Sequence, residues 1–329
     1  MKNPVLSVRD LRVEFPSRRG ALVAIDGVSF DIMPGEVLGV VGESGAGKST
    51  MASAIIGLLE PPGHVAAGEI RLAGERIDDL SPAGMHGIRG RHIGMVFQDP
   101  LTSLDPLYRI GAQLLETITA HSELSGRAAR ERALALLAEV GLPAPAARFD
   151  HYPHQFSGGM RQRVVLALAL AARPEVLIAD EPTTALDVSI QAQIIALLRR
   201  LARQHGVAIM LITHDISVIA EAADRVAVMY AGRIVEIGPV REVVKAPLHP
   251  YTQGLMGSIP RLDVDSARLL QISGSMPRLS AIPAGCPFHP RCAQAFARCR
   301  SERPQHIRRG HSKVACWLHA TAAIEPEAR

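Results

Sequence analysis

Residues 37–50 read VLGVVGESGAGKST, and TMASAIIGLL (50–59) continues with apolar residues at helical spacing. An apolar strand, a glycine-rich loop and a helix form the context in which Gly42-x4-Gly47-Lys48-Ser49 acts as a phosphate-binding loop. Gly42, Gly45 and Gly47 let the main chain wrap close to phosphate, so that several N–H groups point inward at a helix N-terminus. Lys48 is the candidate for the outer phosphates and Ser49 for a Mg²⁺ ion, with Ser44 and Thr50 completing the phosphate-contacting set.

Strand and helix patterns alternate outward from this loop. PVLSVRDLRVEF and LVAIDGVSFDI, between residues 4 and 32, show β-type alternation around a polar turn. GEIRLAG (68–74) and IGMVFQDP (93–100) read as strands, the second ending at Gln98. Helical periodicity dominates from about 105 to 172. VLIAD (176–180), VAIMLIT (207–213) and the hairpin RVAVMYAGRIVEIG (225–238) then restore the strands. The fold class expected is α/β, a βαβ core with a helical insertion over about 99–172.

VLIAD is a buried strand that delivers Asp180 to its C-terminal end, where open α/β sheets put their ligands. Asp180 can hold Mg²⁺ through its hydration shell. Glu181, the next residue, suits a general base that polarises an attacking water. His214, after another strand, is placed for a terminal phosphate, and Gln98 for water and metal. Ser157-Gly158-Gly159 opens a further helix: serine is a favourable N-cap, and two glycines leave backbone N–H groups open at the positive helix end. That makes a second anion-binding site in one chain.

Bulk composition narrows the alternatives. The chain has 329 residues, 47% hydrophobic and 21% charged, with ample material for a core. Only Lys2, Lys48, Lys245 and Lys313 are lysine among 36 basic residues. The arginines are scattered and aromatics are 4%, which argues against a nucleic-acid surface. The longest apolar run, VVLALALAA (164–172), stops at Arg173, too short to span a bilayer. MKNPVLSVRD has no apolar signal region, so a cytoplasmic location is expected.

The ordered set of Gly42–Ser49, Gln98, FSGGM (156–160), IADE (178–181), ALD (185–187) and His214 resembles the ATPase subunit of ABC transporters, over roughly residues 4–260. The resemblance implies a P-loop ABC core with an antiparallel β-subdomain and a helical subdomain. It also implies that two units dimerise head to tail, with ATP between one phosphate loop and the opposite SGG helix. By motif match Phe15 resembles the aromatic that stacks on adenine, although it also fits a core strand position, and Asp187 the aspartate that communicates across the dimer. FQDPLTSLDP (97–106), IADEPTTALDVSIQAQI (178–194) and APLHPYTQGLM (246–256) look like the dipeptide and oligopeptide importers. Their partners would be a second ATPase chain, two membrane permeases and an extracytoplasmic peptide-binding protein, with no nucleic acid. Nickel or another solute stays open as cargo, because this subunit would not touch it. ABC-type ATPases of repair or translation fit less well: Gly47 and Ser157 are only 110 positions apart, and the nucleotide motifs occur once.

The tail beyond residue 260 is rich in Pro, Arg and Cys, and reads as a separate extension over 261–329 with little core of its own. All four cysteines, Cys286, Cys292, Cys299 and Cys316, lie in the final 44 residues. A reducing cytoplasm disfavours disulfides, and C-x5-C-x6-C-x16-C lacks the C-x2-C element usual for zinc. Four converging thiolates suit an iron–sulfur cluster. GCPFHPRC (285–292) resembles the cysteine region of peptide-importer ATPases, where a [4Fe–4S] cluster is implied. Zn²⁺ with His289 or His311 in place of one cysteine, and buried metal-free thiols, are the alternatives.

Overall fold

The computed structural model describes residues 3–18, 20–99, 103–184, 186–258 and 272–320. The expected boundary at 260/261 therefore lies outside the described residues, as do Leu101 and Ala185.

The strands are β1 (Leu6–Ser17), β2 (Gly20–Ile32), β3 (Val37–Val41), β4 (His64–Leu72), β5 (Glu75–Arg76), β6 (Ile93–Val96), β7 (Val176–Asp180), β8 (Ala208–Thr213), β9 (Arg225–Tyr230), β10 (Arg233–Pro239), β11 (Ile307–Arg309) and β12 (Ser312–Val314). They form two sheets. The smaller is antiparallel, in the order β2-β1-β4-β5, with Leu6 opposite both Ile32 and Leu72. The larger has eight strands in the order β11-β12-β10-β9-β3-β8-β7-β6. From β9 to β6 its pairs are parallel, and β10, β12 and β11 add antiparallel pairs at the other side.

The helices are α1 (Lys48–Ile55), α2 (Pro82–Ile88), α3 (Ile110–His121), α4 (Gly126–Glu139), α5 (Pro145–Arg148), α6 (Gly158–Ala169), α7 (Val188–His205), α8 (Ile216–Ala222), α9 (Val240–Lys245), α10 (Pro250–Gly257) and α11 (Ala297–Ser301). Parallel strands need both faces covered, and alternate residues duly enter different cores. Leu38 and Val40 of β3, with Ile178 of β7 and Met210 and Ile212 of β8, face α1 and the antiparallel sheet. Val37 and Val41, with Leu177, Ile209 and Leu211, face the core that includes α3, α4, α6 and α7. On α7 the stripe Ile194, Leu197, Leu198 and Leu201 is buried, and Gly206 ends the helix at φ 70°. The 225–238 hairpin turns at Ala231 and Gly232, both at positive φ, as a tight hairpin turn requires.

The C-terminal segment is tied into the main sheet and core. β12 pairs with β10, aligning Val314 with Glu236, so the tail extends the main sheet. Cys286, Phe288 and Cys299 join the larger core, and Phe288 packs edge-on against Tyr230 at 5.2 Å between ring centroids. Three-residue strands carry too little local periodicity to be seen in the sequence; the pairing is long-range, and it buries Val314 and Ser312 against the sheet.

Candidate active site

The phosphate loop connects β3, fully buried along its length, to α1. Gly47 sits at φ 100°, and a Cβ there would approach Ile25 Cδ1 at 2.9 Å, so glycine is required both for the backbone and for the space. Lys48 is buried, and its Nζ donates to the carbonyls of Gly42 at 2.8 Å and Glu43 at 3.1 Å. Burial pushes the Lys48 pKa down, while Glu181, Asp180 and Glu43 pull it back up.

At the end of β7 the chain makes an unusual turn. Glu181 lies at φ 47°, a left-handed conformation that costs a non-glycine residue energy and is found at functional sites. Its N–H is held by the Ile212 carbonyl at 2.9 Å. Its carboxylate gathers three side chains: Gln98 Nε2 donates to Oε2 at 3.1 Å, Thr184 Oγ1 to Oε2 at 2.9 Å, and His214 Nδ1 lies 3.2 Å from Oε1. Gln98, Glu181 and His214, more than 80 and 30 residues apart in sequence, thus meet on one carboxylate. Burial raises the Glu181 pKa, but the bonds from Thr184 and His214 and the nearby Lys48 outweigh it and hold the group below the usual carboxylate range.

Asp180 is buried and its Oδ1 has no hydrogen-bond partner. Burial pushes its pKa up, against the pull of Ser49 and Lys48. An orphaned buried carboxylate oxygen beside Ser49 and Lys48 is what a hydrated Mg²⁺ would satisfy, so Ser49 and Asp180 fit the ion, while the contact of Gln98 is with Glu181.

Ser157 caps α6, its hydroxyl accepting from the Met160 N–H at 3.4 Å, and Ser157 and Gly158 are exposed. Gly159 is tight: a Cβ would lie 2.6 Å from Ile190 Cγ2. Asp187, at the N-cap of α7, is exposed, and Val188 beside it is 83% exposed, an apolar residue left open at the same helix end. Phe15 is half-buried at the end of β1, where its ring crowds Gly63.

Sequence reading missed Thr184, Glu43, Tyr251 and Arg291. Thr184 follows Glu181 by three residues and could have been suspected as its partner. The other three are joined only in space: Tyr251 Oη accepts from the Glu43 N–H at 2.9 Å, and Arg291 pairs with the Glu43 carboxylate at 3.0 Å.

Comparison with known proteins gives the family of the chain. Residues 25–184 match the ABC transporter family model, and residues 235–299 match that of the oligopeptide/dipeptide transporter C-terminal region. The chain is 49% identical to the dipeptide transport ATP-binding protein DppD of Bacillus subtilis, covering 95% of this chain and 94% of that protein. It is 47% identical to the oligopeptide transport ATP-binding protein OppD of Salmonella typhimurium, covering 92% and 90%. Among solved structures, a dimeric ATP-binding cassette in a post-hydrolysis state with ADP and phosphate superposes with a TM-score of 0.65 at 30% identity, covering 72% of this chain and 99% of that one.

Proposed function

The chain belongs to the ABC transporter family of ATPases, and we propose that it powers the import of di- or oligopeptides as the ATP-hydrolysing subunit of a larger complex. The observation that carries the chemistry is the Glu181 carboxylate, which holds Gln98 and His214 one residue beyond the orphaned Asp180 oxygen. In this reading Lys48 and the loop amides bind the ATP phosphates, while Ser49 and Asp180 hold hydrated Mg²⁺. Glu181 takes the proton of the attacking water, which Gln98 orients, and His214 meets the γ-phosphate. Phe15 stacks on adenine. Peptide as cargo is supported by the names of the relatives and by the C-terminal region match. ATP-driven uptake of labelled dipeptide into vesicles holding the whole complex tests it; uptake of nickel but not peptide would overturn the cargo and leave the ATPase intact.

The partners in this reading are a second ATPase subunit, two permeases and an extracytoplasmic binding protein, with the chain on the cytoplasmic face of the membrane. Among the described residues no helix is long and apolar enough to cross a membrane. Support for a permease contact comes from the stretch after β6, where Phe97 is 46%, Tyr108 60% and Leu107 80% exposed. A cavity lined by Phe97, Leu58, Met95 and Ser103 opens beside them, a groove of the kind that takes a partner helix. Phe97→Ala is expected to lower ATP-driven uptake by about tenfold, with the ATP affinity of the isolated chain changed less than about twofold. Equal uptake would make the segment a surface loop only.

We also infer that the four thiols hold a [4Fe–4S] cluster. Cys286, Cys292, Cys299 and Cys316 line one small apolar cavity together with His249 and His289. Burial pushes the thiols of Cys286, Cys292 and Cys316 up, the last to about 11, so that ligation must displace their protons. His249 Nδ1 accepts from the Tyr251 N–H at 3.0 Å, which leaves the ring proton on Nε2, a buried atom with no partner. A thiolate or sulfide at the cavity would accept that proton as a hydrogen bond. A [4Fe–4S] cluster is wider than a single ion, and Zn²⁺ with a histidine ligand remains the alternative. The group would act as a cross-link between loops. Anaerobic purification is expected to give iron and acid-labile sulfide, both lost in Cys299→Ser together with several degrees of melting temperature. Stoichiometric zinc without sulfide would replace the assignment.

A further inference from the structure

One arginine carries the C-terminal segment to the phosphate loop. Arg291 closes the short turn His289–Arg291, and its side chain is only 8% exposed. Nε donates to the Ser273 carbonyl at 2.8 Å, and NH2 reaches the carbonyls of Ile272 and Gly274, each at 3.3 Å. NH1 pairs with Glu43 Oε2 at 3.0 Å and lies 3.4 Å from Tyr230 Oη. The guanidinium also sits 5.8 Å from the Tyr230 ring centroid and 6.0 Å from that of Phe288. Its position is therefore fixed by three carbonyls and two rings before Glu43 is counted.

Glu43 is the second residue of the phosphate loop, and all but one of its polar atoms are engaged. Its N–H is spent on Tyr251 Oη, and its carbonyl accepts from Lys48 Nζ. One carboxylate oxygen meets Arg291, and the other, Oε1, is buried with no partner. A half-buried, half-satisfied carboxylate in a loop that must receive a polyanion repels it unless a cation compensates. The same carboxylate, left alone, would compete with the phosphates for Lys48.

We infer that Arg291 is a positioning residue for ATP binding: it neutralises Glu43 and pins the first turn of the phosphate loop to the C-terminal segment. The inference rests on that loop being the ATP site. Met276, from the same segment, lies near Gly45, its Cγ 3.9 Å from where a Cβ would sit there. A lysine could supply the charge but not the planar fork that spans Glu43 and three carbonyls.

The test uses the full chain and a fluorescent ATP analogue with Mg²⁺, followed by steady-state hydrolysis in the assembled complex. Arg291→Gln is expected to weaken binding and raise KM by about tenfold, with kcat at saturating ATP within about twofold. Adding Glu43→Gln to that variant is expected to restore affinity to within about threefold of the parent, and Arg291→Lys to restore part of it. Thermal melting of each variant reports folding separately. Unchanged affinity in Arg291→Gln, kcat and KM damaged alike, or no recovery by Glu43→Gln would overturn the inference. Lys48→Ala is the control for its premise: if that variant also binds ATP normally, the site reading itself fails.

Discussion

Glu181→Gln is expected to lower ATP hydrolysis in the assembled complex by roughly 10²–10⁴-fold while ATP binding persists. Glutamine keeps the shape of the side chain and can still accept from Thr184, so the turn at φ 47° has no new reason to collapse. What it loses is the negative charge that is proposed to take the water proton and that faces His214 Nδ1 at 3.2 Å. Phosphate release that falls less than tenfold would remove Glu181 from the role of base. The pH dependence follows from the same environment. Thr184, His214 and Lys48 overcome the effect of burial and hold the Glu181 pKa below its ordinary value. A depressed carboxylate pKa means that the stabilising contacts are fully present above the unfolded pKa and are lost only as pH falls through the folded one. Between about pH 7 and pH 5 the Glu181 carboxylate therefore stays ionised, and as the proposed base it gives the rate no acid limb there. A rate that halves at a carboxylate pKa above the ordinary value would contradict this.

Ser157→Arg is expected to cost at least about 100-fold in hydrolysis, because a complete site is proposed to need the α6 N-terminus of a second ATPase unit. Loss of the Ser157 cap alone is worth only about 1 kcal/mol, too little to abolish a folded chain. The larger effect comes from bulk and an extra charge at an exposed helix end that is proposed to close over a nucleotide. Ser157→Thr, which keeps a capping hydroxyl, is expected to retain most of the activity. The isolated chain should hydrolyse ATP slowly and gain rate with added partner. Full activity in a preparation that light scattering shows to be monomeric would sink the shared-site proposal.

The α/β core was legible because its determinants are local. VLGVV and VLIAD are continuous apolar strands, Gly45 and Gly47 carry a positive φ that few other residues adopt, and Gly42 leaves no room for a Cβ beside the Met229 carbonyl. The order of Gln98, Glu181 and His214 was legible for the same reason, since each ends or follows a strand. Their meeting on one carboxylate was not, because it depends on β6, β7 and β8 lying side by side. The tail was the least legible part. Glu43, Tyr251 and Arg291 are ordinary residues until 208 and 248 positions of chain are folded between them. Glu236 is similar: it looks like a surface charge in an alternating strand, yet it is fully buried and accepts the N–H groups of Leu248 and His249 at 2.9 Å.

The antiparallel addition of β12 to β10 also decides what the molecule can do without its tail. While β12 is in place, β10 is an interior strand, with β9 on its other side. Cut before β11, the chain would present the β10 backbone as an open row of donors and acceptors, with Ile234, Val235 and Ile237 nearby, a ready template for strand addition by another copy. The native margin is a poorer template: β11 is three residues long, and two of them are the exposed Arg308 and Arg309. Self-association through an uncovered margin is therefore a hazard that a shortened chain faces.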